Sequence, residues 1–435
     1  MGRKRTYAPL NVFLNNRHVG QLTKSSSGAI DFAYDTTWLD WENAFPISLS
    51  LPLRPERYIG EPVAAVFDNL LPDFEPLRSR VAQRVGAAGT DAYSLLSVIG
   101  RDCVGALQFL PEGEALVHNN EITGTPVTHD DIAAILANLG RAPLGVDMDV
   151  DQDFRISIAG AQEKTALLFH EGQWLRPHGT TPTTHIIKPP MGRLLNGIDL
   201  SDSVENEFFC MKLMAAFGLP TAHCEMQEFG NTKALVVERF DRRWARDGRL
   251  LRLPQEDCCQ ALGVLPSRKY QNQGGPGIAA IMDMLKGSDD PLADRITFLK
   301  SQLIFWLIGA TDGHAKNFSI ALGPQGRFRL APLYDVLTVQ PTFDQRHIGH
   351  GAFKMSMSVG NNRKYRVLDI HGRHFMETAT ACGLDRADSI KAIEEVREQC
   401  ATIFDTLMLP AAFPEEIVDS VRLAAQSRML TLTGL

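Results

Sequence analysis

The stretch that most limits what this chain can fold into is FLKSQLIFWLI, residues 298–308. Its apolar side chains recur at helical spacing and leave almost no polar face, so the helix it predicts must lie inside a core. The six residues 312–317 then hold Asp312, Gly313, His314, Lys316 and Asn317, and the chain turns apolar again at Phe318. Two readings fit so abrupt a change. The segment is a polar turn that ends a buried helix, or it is a site that handles charge.

At 435 residues the chain exceeds one ordinary core, and two or three domains are expected. Hydrophobic residues make up 44% and charged residues 22%, the balance of a soluble globular protein. A net charge of −7 gives no overall basic excess for gripping nucleic acid, which leaves only a local basic patch for that purpose. No apolar run reaches membrane-spanning length, and the basic start MGRKRTYAPL lacks the apolar centre of a signal peptide. The seven cysteines include no C-x-x-C, and Cys258 and Cys259 are adjacent. Reduced thiols, a cytoplasmic location and no structural zinc are expected.

Residues 1–110 predict a small α+β unit. Asn15-Asn16 separates the alternating Val12 and Leu14 from Val19, a hairpin signature. Ile30, Phe32 and Tyr34 alternate as a further strand. So do Ile47, Leu49, Leu51 and Leu53, with Pro52 pointing to an edge. VAAVFDNLLPD predicts a helix up to Pro72. The polar stretch 111–150, with one short helix near 130–139, reads as a linker region. Residues 151–250 read as a sheet with one helix. FRISIAGAQEKTALLF is strand, glycine turn and strand, and THIIKPP is a short buried strand. A helix starts at Asp202, with Glu205 completing a capping box, and stops at Gly218 and Pro220. CEMQEF and KALVVERF are strands around Gly230-Asn231. Residues 251–435 turn mostly helical. The fold class expected is α+β, with a small sheet lobe joined to a larger helical lobe.

Asp312 and Asn317 stand five apart. Phosphoryl transfer needs a carboxylate to orient and deprotonate the attacking hydroxyl, and an amide oxygen to help hold Mg²⁺; the protein-kinase loop has this Asp-x-x-x-x-Asn spacing. Asp335, in APLYDVLT, stands where a second, metal-binding acid would follow. Mg²⁺ prefers oxygen ligands, and Asn317 and Asp335 supply them. His314, Lys316 and Tyr334 flank this pair and are counted with the ATP contacts. Upstream, Lys188 ends HIIK like the strand lysine that pairs the α- and β-phosphates. The helix after it offers Glu205 and Glu207 as ion-pair partners, and Glu207 is favoured because Glu205 has a capping role. SIAGAQEK occupies the place of a phosphate-covering loop, with Ala159, Gly160, Ala161, Gln162, Glu163 and Lys164, though it has a single glycine. ERFDRR stands at the interlobe hinge. There the backbone of Glu238 and Phe240, with Arg239 between them, would meet adenine, and Asp241 the ribose. Each piece has an ordinary alternative as a strand end, a helix surface or a satisfied turn. Asp312, His314 and Asp335 could also hold a hydrolytic metal. The order of loop, lysine, acidic helix, hinge, Asp/Asn loop and second Asp favours an ATP-dependent phosphotransferase.

FRISIAGAQEKTALL, TPTTHIIKPP, ERFDRRW, LRLPQED, IGATDGHAKNFS and PLYDV together resemble the HipA family, the serine/threonine kinase toxins of bacterial HipBA toxin–antitoxin modules. LNVFLNNRHVGQLTK, FDNLLPD and IGRDCVGA extend the resemblance to the N-terminal unit. It implies a protein-kinase-like two-lobed fold with a small N-terminal subdomain. It implies Asp312 as catalytic base and Asn317 and Asp335 as Mg²⁺ ligands. Lys188 and His314 would contact the ATP phosphates, with Ala159 to Lys164 as the phosphate loop. Glu238 and Phe240 would form the hinge contacts, and Asp241 would lie by the ribose. Ser157 matches the family's autophosphorylated serine; a phosphate there adds about two negative charges beside a loop that must receive ATP. The resemblance also implies a dimeric DNA-binding antitoxin like HipB, and operator DNA reached mainly through it. The substrate it implies is glutamyl-tRNA synthetase, with translation arrest and dormancy as the result. Arg363, Lys364, Arg366 and Arg373 are basic residues near the family's DNA contacts, whereas METATACGLDRADS after them is poor in Lys and Arg. PTFDQRHIGHG fits no pattern. Two other classes share these features: a small-molecule phosphotransferase on the same fold, and a non-catalytic ATP-binding co-repressor. The intact Asp312, Asn317, Asp335 and Lys188 argue against the second.

Overall fold

The structure is a computed structural model that describes residues 7–114, 122–139, 162–193 and 197–432. Its contacts divide the chain into two units. One comprises residues 1–189, 227–267 and 321–327, and the other 190–226, 268–320 and 328–435.

The first unit opens with an antiparallel sheet of β1 (Leu10–Leu14), β2 (Arg17–Lys24), β3 (Ile30–Tyr34), β4 (Tyr58–Ile59) and β5 (Leu107–Pro111), in the order β4-β3-β2-β1-β5. Asn15 and Asn16 take φ of 44° and 69°, the left-handed pair that a tight hairpin turn demands. Helices α1 (Glu61–Asp68), α2 (Glu75–Arg84) and α3 (Ala92–Ile99) follow β4. Phe67 of α1 meets Phe32 of β3 and Phe109 of β5, each with ring centres 5.5 Å apart, and this aromatic cluster seals the helix onto the sheet. The strand expected over 47–53 does not form. The Leu49 amide donates to Glu256 Oε1 (2.8 Å), and the Ser48 and Ser50 hydroxyls donate to the Gln260 carbonyl. The segment docks on residues 256–260 through these bonds instead of through a ladder.

A second sheet holds β6 (Gly124–Pro126), β7 (Thr165–His170), β8 (Gln173–Pro177), β9 (His185–Lys188), β10 (Cys224–Phe229) and β11 (Thr232–Glu238), in the order β10-β11-β9-β7-β8-β6. Helix α4 (His129–Leu139) buries Ile132 and Leu136 against Leu167, Trp174, Ile187, Phe229 and Val236. Where it is described, the expected linker is therefore part of the sheet layer. It supplies an edge strand, where Pro126 is tolerated, and the helix that covers the sheet. Three residues are too few to show a two-residue period, so the pattern around 124–126 gave no strand signal.

The second unit contains α5 (Ser203–Ala216), α6 (Pro291–Ile308), the hairpin of β12 (Lys354–Val359) and β13 (Lys364–Arg366), and helices α7 (Gly372–Ala381), α8 (Arg386–Cys400) and α9 (Glu415–Met429). Helix α6 is buried over most of its length, as its apolar pattern requires, and α8 and α9 pack against it. Its start has Pro291 at the first position and the Asp290 side chain accepting from the Ala293 amide (3.3 Å). Helix α5 begins where expected, but the Asp202 side chain accepts no helix amide. Its ψ of 14° departs from the extended form that turns a capping side chain back on the helix, so the expected capping box is absent. All seven cysteines are buried, and none is joined in a disulfide. Among the described residues no helix is long and apolar enough to cross a membrane.

Candidate active site

Helix α6 ends at Gly309, which takes the left-handed φ of 69° that glycine adopts at least cost. Two donors close this buried end. Thr338 Oγ1 donates to the Ile308 carbonyl (2.5 Å), and Arg428 of α9 donates to the Leu307 carbonyl (2.7 Å) and to Gln340 Oε1 (2.5 Å). The last carbonyls of a helix have no partner within it, and a cation suits its negative end. Burial lowers the Arg428 guanidinium to about 10, so it stays charged at neutral pH. Thr338 is held in turn by α5. Its amide donates to Asn206 Oδ1 (2.9 Å), and Asn206 Nδ2 donates to its carbonyl (2.8 Å).

The charged loop follows. The Thr311 carbonyl accepts from the Ser356 amide (2.9 Å) and hydroxyl (2.7 Å) of β12. Asn317 Nδ2 donates to the Asp312 carbonyl (2.9 Å), and its amide donates to the His314 carbonyl (2.9 Å). The Asp312 side chain is 64% exposed. The Tyr270 hydroxyl donates to its Oδ1 (2.8 Å), while Oδ2 lies 4.0 Å from Nε2 of the buried His314. The Tyr270 and His314 rings meet edge to face, with centres 5.0 Å apart. Gly313 is needed for space and not for turning, since a Cβ there would stand 2.6 Å from the Phe305 ring.

With Nδ2 engaged on Asp312, the other polar atom of the Asn317 side chain is Oδ1, an acceptor of the kind a hard cation takes. The Tyr334 hydroxyl donates to the Lys316 carbonyl (2.8 Å) and lies 2.6 Å from Ser319 Oγ, which fixes the residue before Asp335 to the loop. Asp335 itself has φ of 60°. That conformation is uncommon outside glycine and concentrates at functional sites. The fold thus joins Asp312, His314, Lys316, Asn317 and Tyr334 in one bonded set, with Asp335 next in the chain. Among the described residues no three His, Cys, Asp or Glu side chains are arranged to hold a metal, so the hydrolytic trio of Asp312, His314 and Asp335 is not assembled. An amide oxygen and one carboxylate fit Mg²⁺, which completes its shell with phosphate and water.

In the first unit, Lys188 is a buried residue at the end of β9, opposite Leu235 of β11. Glu238 is exposed at the end of β11, opposite His185, and Phe240 is half-buried. Arg239 and Asp241 depart from the sequence expectation. Asp241 is 3% exposed, and its carboxylate accepts from Arg239 Nε (2.9 Å) and Nη2 (2.7 Å), the Gly105 amide (2.7 Å) and Gln255 Nε2 (3.1 Å). Beside it the wholly buried Asp102 accepts from Arg242 (2.9 Å), Arg252 (3.0 Å) and the Thr183 amide (3.0 Å). Burial alone would raise the Asp241 carboxyl, but Arg239 and Arg242 outweigh it and lower it to about 2. An acid enclosed in this way does not fit a ribose contact. The Arg239 amide donates to the Thr184 carbonyl (2.9 Å), so it is not a hinge donor for adenine. Arg239, Asp241 and Arg242 form a buried charge lock between the turn before β5 and the second sheet.

Gln162 Nε2 donates to the Pro189 carbonyl (3.4 Å), Glu163 pairs with Arg80 (2.6 Å), and Lys164 is half-buried. Ser157, Ala159, Gly160 and Ala161 lie outside the described residues. Glu205 and Glu207 are buried on α5, in the second unit. Tyr270 and Arg428 are site residues that sequence reasoning missed. No motif marks either one, and each reaches the loop from a distant part of the chain.

Comparison with known proteins adds to this geometry. Residues 10–110 match the family described as HipA N-terminal domain, and residues 156–404 the one described as HipA-like C-terminal domain. The "Putative kinase Y4mE" of Sinorhizobium fredii is 34% identical over 434 residues, which is 98% of this chain and 100% of that protein. The "Serine/threonine-protein kinase toxin HipA" of Shewanella oneidensis is 30% identical over 344 residues, 76% of this chain and 75% of that one. A chain in the solved complex of Shewanella oneidensis HipA, HipB and operator DNA superposes with a TM-score of 0.79 at 25% identity, covering 97% of this chain and 96% of that one.

Proposed function

The chain belongs to the HipA family, and from that premise we propose that it is the serine/threonine kinase toxin of a toxin–antitoxin module. The carrying observation is the loop after α6. It presents an exposed carboxylate steadied by Tyr270, and beside it an amide whose nitrogen is fixed on the Asp312 carbonyl. Asn317 Oδ1 and the Asp335 carboxylate would hold Mg²⁺, which with bound ATP supplies charge neutralisation for phosphoryl transfer. Asp312 orients the attacking serine hydroxyl and accepts its proton. His314, Lys316 and Lys188 are the donors offered to phosphate oxygens, and the backbone of Glu238 and Phe240 is offered to adenine. Ser157 is the serine proposed for autophosphorylation.

The Shewanella relative was solved with HipB and operator DNA. We read this chain likewise as the partner of a dimeric HipB-like antitoxin, through which it reaches operator DNA and represses its operon. Glutamyl-tRNA synthetase is the protein substrate that the family membership suggests, and its phosphorylation would halt translation.

The test is labelling with γ-labelled ATP and Mg²⁺ in a cell lysate, followed by phosphosite mapping. Label on protein serines, lost in Asp312→Gln, is the expected result. Label confined to small metabolites, or undiminished protein labelling by Asp312→Gln, would overturn the proposal.

A further inference from the structure

The hairpin of β12 and β13 lines a half-open cavity of 370 Å³ whose walls include Lys354, Arg363, Lys364 and Arg366, with Tyr365 and Asn272 beside them and one acid, Asp369. Lys354 and Arg366 are cross-strand neighbours, so two cations face each other, an arrangement that works against the hairpin. Among the described residues no carboxylate pairs with Lys354, Lys364 or Arg366, and the Arg363 side chain donates to the Tyr365 hydroxyl (3.2 Å). Four cations therefore gather around one concavity in a chain of net charge −7. Folding does not explain the cluster, and an anionic guest does.

The position of the cavity suggests which guest. Ser356, on the same strand as Lys354, donates twice to the Thr311 carbonyl, one residue before Asp312. The Ser358 amide donates to Gln271 Oε1 (2.7 Å), and Gln271 stands between Tyr270, which holds Asp312, and Asn272, which lines the cavity. Two short bonded paths thus tie the cavity to the loop, and a guest seated there is held in register with Asp312. The volume is that of a pocket for a small ligand or a few side chains. A nucleic-acid duplex presents its phosphates on a convex surface and does not enter such a hollow. Lys and Arg on long stems reach carboxylates, Arg in bidentate fashion.

We propose that this cavity docks an acidic segment of the protein that Asp312 phosphorylates. The inference rests on the kinase reading above, and it adds the substrate class: serines near runs of Asp or Glu.

Binding and catalysis are to be measured separately. The binding probe is a fluorescein-labelled peptide with one serine followed by a run of glutamates. Its anisotropy is read on the full chain carrying Asp312→Gln, without ATP. Adding Lys354→Gln, Lys364→Gln and Arg366→Gln should weaken binding about tenfold or more, as three exposed ion contacts compound, while Lys364→Arg alone should keep it. Binding to the unaltered cavity should fall as salt rises. In the chain with Asp312 intact, the triple variant should raise KM for the same peptide by that factor. The kcat and the ATP KM should hold, which also shows that the variant is folded. Equal binding by both proteins, or capture of a short DNA duplex with no capture of the peptide, overturns the docking site while Asp312-dependent labelling leaves the kinase reading standing. Charge-dependent peptide binding without any labelling by the intact chain sinks the kinase reading, and with it the role given to this cavity.

Discussion

The hydroxyl of Tyr270 donates to Oδ1 of Asp312 across 2.8 Å. An exposed carboxylate samples several orientations, and one neutral donor contributes on the order of 1 kcal/mol toward keeping it in one of them. Tyr270→Phe should lower kcat by roughly fivefold, the equivalent of that energy, with the ATP KM unchanged. Steady-state phosphorylation of a serine peptide checks this; an unchanged or raised kcat would show that the phenol does not position the base.

Gly313→Ala should disable the loop without unfolding the protein. The added Cβ would stand 2.6 Å from the Phe305 ring, and Phe305 lies in the packed helix α6, so the loop must give way. Overpacking of this kind costs about 1–3 kcal/mol. Displacement of Asp312 should lower kcat by about a hundredfold, as misplacement near 1 Å does. The paired measurements are a melting curve, expected to shift modestly, and the phosphorylation rate.

Asp102→Asn should be among the most destabilising single changes in the first unit. Asp102 is wholly buried and serves Arg242 and Arg252 together. Removing its charge takes a buried carboxylate from both guanidinium groups, although Arg242 keeps Asp241 (3.1 Å), and breaking a buried pair in this way costs about 3–5 kcal/mol. Urea titration would read the loss as a lower midpoint. A loss below about 1 kcal/mol would mean that the carbonyls of Arg101, Cys103 and Gly105 carry the cluster without it.

Glu256 sets a pH dependence. Its carboxyl is buried beside Ser48 and Leu49, and burial raises it to about 8, against the hydrogen bonds from those two residues. The folded chain therefore keeps it protonated after the unfolded chain has begun to ionise near its ordinary value. Its contribution to stability is full below that value, declines as pH rises, and is lost by about 8. Glu256→Gln should accordingly melt close to the natural chain at acid pH and above it at pH near 8, with a gap on the order of a few kcal/mol. Parallel melting curves across that range decide it, and a gap of constant size would show that Glu256 does not titrate in the fold.

The sequence carried the site's core because its signals are local. An apolar helix needs a core, Asn-Asn turns a hairpin, and Asp312 and Asn317 lie within one loop, so their bond follows from short-range spacing. The readings that failed depended on partners far along the chain. Asp241 resembles a ribose ligand until Asp102 and Gly105 are seen around it. Residues 47–53 alternate like a strand, yet their polar groups are satisfied by residues 256–260. Glu205 stands at capping distance from Asp202, but the backbone at Asp202 does not turn the side chain back. Tyr270 was invisible for the same reason, because a single phenol forty-two residues upstream of an acid announces nothing.

Arg428 sits in the final turn of α9 and reaches the carbonyl end of the helix that carries the loop. Translation delivers residues in order. A growing polypeptide thus holds Asp312, Asn317 and Asp335 well before it holds the cation that closes α6. Until α9 has emerged and folded back, every motif is present and one of the two donors that close α6 is not. A premature stop codon ahead of position 428 would leave the same unfinished state for good. For a protein proposed to act against translation, the last support of its loop is thus also among the last residues to be made.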